Sequence, residues 1–460
     1  TWSYTATVAN GTTYQFNVKE TDLAGNTSSA TNNLAVTGDT TAPTANFTAA
    51  TDNVSNITGA LTSGDTTDDT ALVLSGTNEA GSIVKVYNSS TELDNATVTG
   101  TTWSYTATVV DGTTYQFNVK ETDLAGNTSS ATSNFTVTGD TTSPTVSSVS
   151  ITSASGIQNN LLNTGDVVSV TFTYSEDVIV TNTPLLPLVV GSTSLNAAYT
   201  TSGSGSTTLL FQYTIQAGDN DPDGISIGAN VLAVNDGTIR DAAGNNAIIT
   251  HSAVSDNSSF KVDTTAPTAN FTAATDNVSN ITGALTSGDT TDDTALVLSG
   301  TNEAGSIVKV YNSSTELDNA TVTGTTWSYT ATVVDGTTYQ FNVKETDLAG
   351  NTSSATSNFT VTGDTTSPTV SSVSITSASG IQNNLLNTGD VVSVTFTYSE
   401  DVIVTNTPLL PLVVGSTSLN ASYTTSGSGS TTLLFKYTIQ AGDNDPDGIS
   451  IGTNVLAVND

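Results

Sequence analysis

The stretch GTTWSYTATVVDGTTYQFNVKETDLAGNTS, at Gly100–Ser129, contains the pattern that decides the fold. Apolar residues alternate with polar ones in two runs: Trp103, Tyr105, Ala107 and Val109, then Tyr115, Phe117 and Val119. A period of two places each run on one face of a half-buried strand. The segment VDGTT between the runs has the residues of a tight turn. We therefore predict two consecutive strands here, with Trp103 as a core anchor.

The same pattern recurs outside this stretch. Two further alternating runs are Val168, Val170, Phe172 and Tyr174, and Leu209, Phe211, Tyr213 and Ile215. Clusters of Gly, Asn, Asp and Ser separate the strands every 8–12 residues or so, a spacing typical of β-sandwiches. No segment has a convincing amphipathic-helix pattern. The sequence predicts an all-β protein.

Internal repeats set the organisation. Residues Thr44–Asp236 recur at Thr268–Asp460 with a shift of 224 and three differences over 193 positions. Each period holds two unlike modules, A and B, and Thr1–Pro43 matches Thr102–Pro144 at a shift of 101. The predicted modules are a partial A at 1–43, A at 44–144, B at 145–267, A at 268–368 and a partial B at 369–460. Because the sequence starts and stops inside modules, we expect it to be a window of a longer tandem-repeat protein.

Composition excludes several function classes. The chain has 42 acidic and 8 basic residues and a net charge of -34, whereas nucleic acids and anionic membranes attract clustered Lys and Arg. It has no Cys, which excludes disulfides, thiolate nucleophiles and Cys-ligated metals. Its apolar runs are too short to span a bilayer, so we predict no membrane insertion in this segment.

Acidic residues concentrate at turns and module boundaries, where oxygen ligands for calcium would be needed. The clearest motif is the turn D-x-A-G-N, which occurs in both kinds of module. A second Asp follows at each boundary within DTT(A/S)P. Further Asp residues lie near the start of A and in the GDNDPDG turn of B. An isolated Asp is well explained as a turn residue, but the D-x-A-G-N turn together with the boundary Asp favours calcium.

The predicted calcium ligands form four groups. In the D-x-A-G-N turns they are Asp22, Asn26, Asp123, Asn127, Asp241, Asn245, Asp347 and Asn351. At the boundaries they are Asp39, Asp140, Asp263 and Asp364. Near the start of A they are Asp52, Asp68, Asp69, Asp276, Asp292 and Asp293. In the B turns they are Asp219, Asp221, Asp223, Asp443, Asp445 and Asp447.

The GDNDPDG turn matches the first half of an EF-hand loop, with Gly224 at the glycine position. Val231 stands where an EF-hand has its bidentate Glu, and no flanking helix is evident. We interpret this turn as a calcium-capable or turn-forming Asp cluster and not as an EF-hand.

Module A resembles the bacterial Ig-like repeats of giant biofilm-associated, type I-secreted adhesins. The resemblance of module A rests on Thr67–Tyr87, Gly100–Ser129 and Gly139–Pro144. Module B resembles a related repeat through Tyr174–Val180, Asp241–Asn245 and Val262–Pro267. The resemblance implies tandem Ig-like β-sandwiches in an extended extracellular rod on a bacterial cell surface, stiffened by calcium between modules. Ala71 stands where the family often has Pro.

Nothing in the sequence indicates catalysis. The chain has a single histidine, His251, which we interpret as a surface strand or turn residue, and one histidine cannot supply a repeated Ser-His-Asp arrangement. The carboxylates recur with the modules, as structural sites do. We predict a spacer region of an adhesin, not an enzyme, whose partners are neighbouring modules. The alternatives are a self-assembling filament or surface layer, with identical chains as partners and strand donation as one mechanism, and a carbohydrate- or ice-binding module.

Overall fold

The computed structural model describes residues 1–54, 56–200, 204–278, 281–424 and 429–456. Regular structure in these residues consists of strands alone. Within them, no helix has the length and hydropathy that crossing a membrane requires. The all-β prediction is confirmed. The chain divides into two units, Thr1–Pro267 with Thr346–Ser353, and Thr268–Glu345 with Ser354–Asp460.

The first unit opens with a two-stranded antiparallel sheet followed by a complete A module. The sheet pairs β1 (Thr13–Phe16) with β2 (Leu34–Thr37). The A module contains β3 (Asn46–Asp52), β4 (Gly59–Ala60), β5 (Thr66–Thr67), β6 (Ala71–Thr77), β7 (Ile83–Asn88), β8 (Thr91–Asn95), β9 (Thr97–Thr99), β10 (Thr102–Thr108), β11 (Thr114–Thr122) and β12 (Phe135–Gly139). They form two five-stranded sheets, in the orders β4-β3-β6-β10-β9 and β5-β12-β11-β7-β8.

The core of this A module lies between its two sheets, as the alternation predicts. Trp103 and Ala107 of β10 are buried, as are Phe117 and Val119 of β11. The indole of Trp103 donates a hydrogen bond to the carbonyl of Asn46, 3.1 Å away, so its one polar group is satisfied. The prediction that Trp103 is a core anchor is confirmed.

The B module of the first unit has one large sheet and one small one. Its strands are β13 (Val146–Ser155), β14 (Leu161–Leu162), β15 (Val167–Thr181), β16 (Leu185–Val190), β17 (Thr193–Tyr199), β18 (Ser206–Thr214), β19 (Asn220–Asp221), β20 (Thr238–Arg240) and β21 (Lys261–Asp263). The large sheet runs β13-β15-β18-β17-β16, with β20 paired to the far end of β15, and the small sheet runs β14-β21-β19. Val168, Val170, Phe172 and Tyr174 are all buried, which confirms the predicted face of β15.

The second unit repeats the two sheets of the A module and the large sheet of the B module. Its A strands are β22 (Asn270–Asp276), β23 (Gly283–Ala284), β24 (Thr290–Thr291), β25 (Ala295–Thr301), β26 (Ile307–Asn312), β27 (Thr315–Asn319), β28 (Thr321–Thr323), β29 (Thr326–Thr332), β30 (Thr338–Thr346) and β31 (Phe359–Gly363). Its B strands are β32 (Val370–Ser379), β33 (Val391–Val402), β34 (Leu409–Val414), β35 (Thr417–Tyr423), β36 (Ser430–Thr438) and β37 (Ser450–Ile451). The A strands again form two five-stranded sheets, and the B strands form one sheet of six.

Candidate metal centre

Three carboxylates from two modules of the first unit converge on one spot. Asp140 follows the last strand of the A module, β12, while Glu176 lies in β15 and Asp241 directly follows β20. Their ligand oxygens all lie within 4.8 Å of one another. Asp241 is 3% exposed, and the other two side chains are half-buried. We call these three residues the joint cluster.

Local sequence fixes the position of each member. The amide of Asp140 donates to the carbonyl of Thr67 at 2.9 Å, which extends the β12–β5 pairing by one residue. Glu176 and Asp241 meet because β15 pairs with β20, with Ile179 opposite Arg240. The boundary Asp of one module therefore meets two acids of the next.

The D-x-A-G-N turn holds Asp241 rigidly. Its Oδ1 accepts hydrogen bonds from the amides of Gly244 and Asn245, at 2.7 and 2.9 Å, and its Oδ2 accepts one from Asn245 Nδ2 at 2.8 Å. Gly244 has φ +114°, a value that L side chains rarely adopt. The motif therefore requires glycine at this place for its backbone.

The electrostatics of the joint cluster are unfavourable without a cation. Burial raises the pKa of Asp140, and the nearby charges of Asp241 and Asp111 raise it further. Burial also raises the pKa of Glu176, as do the charges of Asp140, Asp241 and Asp111. Ionising these acids in the folded chain therefore costs free energy.

A fourth acid adds to this crowding. Burial raises the pKa of Asp68, and the nearby charges of Asp52, Asp241 and Asp69 raise it further. Asp68 Oδ1 is buried and has no hydrogen-bond partner among the residues that the structure describes. A Cβ placed on Gly244 would lie 3.5 Å from Asp68 Oδ2, so this side chain reaches the turn that carries Asp241.

The donor set fits a hard divalent cation. Calcium prefers six to eight oxygen ligands at about 2.3–2.6 Å, and one such ion can contact oxygens that lie up to about twice that distance apart. The joint cluster offers only carboxylate oxygens within that range. The orphaned oxygen of Asp68 supports the fit, because a buried unpaired acceptor is costly. Arg240 does not neutralise the cluster through its Nη1, which donates to the carbonyl of Asn56 at 2.8 Å.

In the second unit, Glu400 repeats part of this arrangement. Burial raises the pKa of Glu400, and the charges of Asp364 and Asp335 and a hydrogen bond with Asp364 raise it further. Asp364 and Glu400 are the counterparts of Asp140 and Glu176. The pairing of boundary Asp and strand Glu is therefore a property of the A–B sequence and recurs with it.

Most of the other predicted ligands form turns. Asp52 is 1% exposed and accepts hydrogen bonds from the Val54 amide and the Thr67 hydroxyl. Asp69 is 2% exposed and accepts hydrogen bonds from the amides of Asn53 and Ala71. Asp276 and Asp293 repeat these contacts, whereas Asp292 is exposed. The carboxylates of Asp39, Asp263 and Asp364 each accept from the amide two residues further on.

The GDNDPDG turns also hold their acids by local contacts. Asp219 accepts from the Tyr213 hydroxyl and the Gln216 amide, and Asp221 accepts from the Gly224 amide. Asp443 and Asp445 repeat this pattern, and Asp223 and Asp447 are exposed. No helix flanks either turn in the described part of the chain, in agreement with the non-EF-hand interpretation.

The asparagines of the D-x-A-G-N turns use their amide nitrogens. In the turns Asp22–Asn26, Asp123–Asn127 and Asp347–Asn351, the Asn Nδ2 donates to the Asp Oδ2 at 2.8–2.9 Å. These bonds are the leading cause of the lowered pKa of Asp22 and Asp123. Their use as calcium ligands stays a prediction.

Two features of the site were not evident from the sequence. Glu176 lies in the segment YSEDVIV, Tyr174–Val180, and nothing in its spacing from the boundary Asp connects the two residues. His251 was predicted to be a surface residue, and this is wrong because it is 8% exposed. Its Nε2 accepts from the amides of Val231 and Leu232, at 3.0 and 3.4 Å, and its ring packs edge-on against Phe172. It supports a loop in the core.

The raised pKa values predict a pH dependence in the absence of divalent cations. Because the folded-state pKa of Asp140, Glu176 and Asp68 lies above the unfolded value, the folded state binds more protons than the unfolded state in this range. The cluster's contribution to stability is thus full below about pH 4, the ordinary range of these acids, and is lost as pH rises through the raised values. In EDTA, thermal melts of the wild type and of Glu176→Gln are expected to diverge as pH rises from 4 to 7, with the variant more stable. Parallel curves would contradict this.

Comparison with known proteins supports the Ig-like modules. The bacterial Ig-like domain model matches residues 43–141 and 265–365. Chitinase A1 of Niallia circulans is 36% identical over 163 residues, which cover 33% of this chain and 21% of the chitinase. The chain thus spans about a fifth of that enzyme's length.

Solved structures of multi-domain Ig and fibronectin chains also match. The insect immune protein hemolin is 10% identical with a TM-score of 0.23, over 89% of this chain and 98% of hemolin. The fibronectin(III)-like modules of Clostridium thermocellum CbhA are 8% identical with a TM-score of 0.16, and the match covers 66% of this chain and 90% of the CbhA chain. Scores of this size carry no argument about function. Together with the two matched segments, the sheets define tandem Ig-like β-sandwiches, an architecture typical of non-catalytic modules.

Proposed function

We propose that this chain is part of the spacer region of a large bacterial cell-surface adhesin. In this proposal it is a calcium-stiffened rod that holds a distal binding domain away from the cell and supports adhesion and biofilm formation. Two segments matching the bacterial Ig-like domain, in a chain of near-identical repeats, support an extracellular surface role. Sameness between copies suits a spacer, because a spacer needs length and does not need each module to recognise a different ligand.

The joint cluster is the observation that carries the proposal. Asp140 belongs to one module and Glu176 and Asp241 to the next, so a cation held by all three would connect the two modules. Asp68 lies beside them, and its buried Oδ1 has no partner in the described part of the chain. Calcium bound there would neutralise the crowded carboxylates and restrict the angle between modules.

Joints in this chain differ in charge. Among the residues that the structure describes, a group of three acids with converging ligand atoms occurs only at the first joint from A to B, and Asp364 and Glu400 repeat two of its members at the second. At the preceding joint, between residues 1–43 and the first complete A module, the equivalent boundary residue is Asp39, which belongs to no such group in the described residues. We therefore propose about one stiffening ion per A–B joint.

Chelation tests this function on the whole chain. Small-angle X-ray scattering in calcium is expected to show an extended monomer, and EDTA is expected to shorten its maximum dimension and lower its melting temperature. The variant Asp177→Asn is expected to respond to calcium and EDTA as the wild type does, because Asp177 neighbours Glu176 but is exposed and outside the joint cluster. Identical scattering and melting in calcium and EDTA would overturn the calcium-stiffened rod. Growth into ordered polymers in light scattering would favour the filament alternative.

A further inference from the structure

The asparagine of the D-x-A-G-N turn makes a second contact, outside its own turn. Asn245 Nδ2 donates to the backbone carbonyl of Asp140 at 2.9 Å, across the joint between A and B. Asn127 Nδ2 donates to the carbonyl of Asp39 at 3.2 Å, across the joint between the first partial module and A. In both cases the acceptor is the main-chain oxygen of the boundary Asp of the preceding module.

A third case lies in the part of the first unit formed by Thr346–Ser353. There Asn351 Nδ2 donates to the carbonyl of Asp263 at 2.8 Å. The three boundary residues hold the same place in DTT(A/S)P, although they follow modules of two unlike sequences. The contact thus depends on the two short motifs and not on the kind of module around them.

The chemistry of the amide explains why asparagine stands here. A side-chain amide nitrogen has two protons. One is used within the turn, on Oδ2 of the Asp, and the other is used on the boundary carbonyl. Both donors of Asn245 are therefore satisfied by two acceptors that belong to different modules. A carboxylate or a hydroxyl cannot replace it, because neither has two protons to donate on one atom at neutral pH.

A second pair of polar contacts at the first A–B joint involves the arginine Arg240. Arg240 Nη1 donates a hydrogen bond to the Asn56 carbonyl at 2.8 Å. Asn56 Nδ2 in turn donates to the Gly244 carbonyl at 3.0 Å. Arg240 is the single arginine of the chain, so this pair cannot serve the other joints. The hydrogen bond from the turn asparagine to the boundary carbonyl is found in all three cases.

We propose that the asparagine closing the D-x-A-G-N turn, where it contacts the boundary carbonyl of a preceding module, is a positioning residue that fixes the angle between these modules through its amide, without metal. In this account the turn is a clamp: Asp holds the asparagine, and the asparagine holds the boundary carbonyl of the preceding module. The proposal deepens the proposed rod function by naming a source of stiffness that is separate from calcium.

Isosteric replacement separates the clamp from a ligand role. Asn245→Asp keeps the one side-chain oxygen and replaces the amide nitrogen with a second oxygen, so it would preserve or tighten calcium binding if the side chain were a ligand. It removes both amide protons and places a carboxylate against Asp241 Oδ2 and the Asp140 carbonyl, so the clamp is lost. Asn245→Ala removes the amide without adding charge. Asn26→Asp is the matched control, since Asn26 makes the bond within its turn and no bond to a boundary carbonyl among the described contacts.

Spin-label distance measurements on the full chain, in EDTA, test the proposal. The chain has no cysteine, so Thr106→Cys and Ser194→Cys, both at exposed positions, label the A and B modules uniquely. The distance distribution is expected to be narrow in the wild type and in Asn26→Asp. It is expected to be at least twofold broader in Asn245→Asp and in Asn245→Ala. A distribution as narrow as that of the wild type in both Asn245 variants would overturn the clamp.

The preceding joint provides a second test, which applies if an Asn245 variant fails to fold its B module. If circular dichroism shows that an Asn245 variant has lost its B module, Asn127→Asp is measured with labels at Lys19→Cys and Thr106→Cys, across the preceding joint. Broadening there supports the clamp, and an unchanged width overturns it. Because every measurement is made in EDTA, a failure of the calcium proposal leaves this result intact.

Discussion

In EDTA the double variant Asp140→Asn/Glu176→Gln is expected to melt at a higher temperature than the wild-type chain, and in calcium at a lower one. Without a cation, replacing the two charges removes repulsion among acids whose pKa values are already raised by burial and by one another. With calcium, the same replacement removes two of the three converging carboxylates. The expected result is a change of sign, which a general loss of stability cannot produce.

Mass action gives the size of the calcium effect. A ligand at 100 times its Kd stabilises the folded state by about 2.7 kcal/mol. For a domain of this size, that corresponds to a rise in melting temperature on the order of 10 °C. Differential scanning calorimetry of the wild type, the double variant and the control Asp177→Asn measures it. The control should respond to calcium as the wild type does. A double variant that gains the same calcium stabilisation as the wild type would contradict the role of the joint cluster.

Gly76→Ala is expected to lower the stability of the first complete A module by about 3 kcal/mol, near the upper end of what overpacking a core costs. A Cβ at this position would lie 2.0 Å from the Asn46 carbonyl oxygen and 2.6 Å from Trp103 Nε1. Both atoms are fixed, because they form a hydrogen bond with each other and belong to strands paired on either side of β6. Position 76 therefore requires glycine, because the Asn46 carbonyl and the Trp103 indole leave no room for a Cβ.

The second A module is an internal control for this prediction. Gly300 has the same contacts with Asn270 and Trp327. In calorimetry of Gly76→Ala, one A-module transition should fall by roughly 12 °C or more while the other stays in place, and Gly300→Ala should show the converse. Ser104→Ala, an exposed neighbour of Trp103, should change stability by less than about 0.5 kcal/mol. If Gly76→Ala left both transitions unchanged, the packing described around Trp103 would be wrong.

Much of the fold follows from local sequence. A period of two along Trp103–Val109 and Val168–Tyr174 indicates both the strands and the faces that are buried, because a pleated strand can bury only alternate residues. Internal repeats add independent support, since Gln212 and its counterpart Lys436 both occupy the exposed face of their strand. Which strands pair within each module is not written in this pattern.

The joint cluster illustrates what local patterns leave open. Asp140 and Asp241 belong to motifs that stand out in the sequence, but Glu176 is a single acid in a strand. It joins them because β15 is long enough to pair with β18 at one end and with β20 at the other. That pairing is a tertiary property, and no spacing between the three residues reveals it.

His251 was misjudged for a similar reason. A histidine among Thr, Ser and Ile suggests a surface residue, yet its ring accepts two backbone amides from a loop 19 and 20 residues away. Burial of a polar ring becomes favourable when such partners are present. The partners are provided by the fold and are not visible in the neighbouring sequence.

The most direct test of the central claim, that the A–B joint holds a cation, is a calorimetric titration of calcium into the full chain. The wild type and Asp177→Asn are expected to bind calcium with equal heat and stoichiometry, and Asp140→Asn/Glu176→Gln is expected to lose the site at this joint. Equal calcium binding by all three chains would contradict the account.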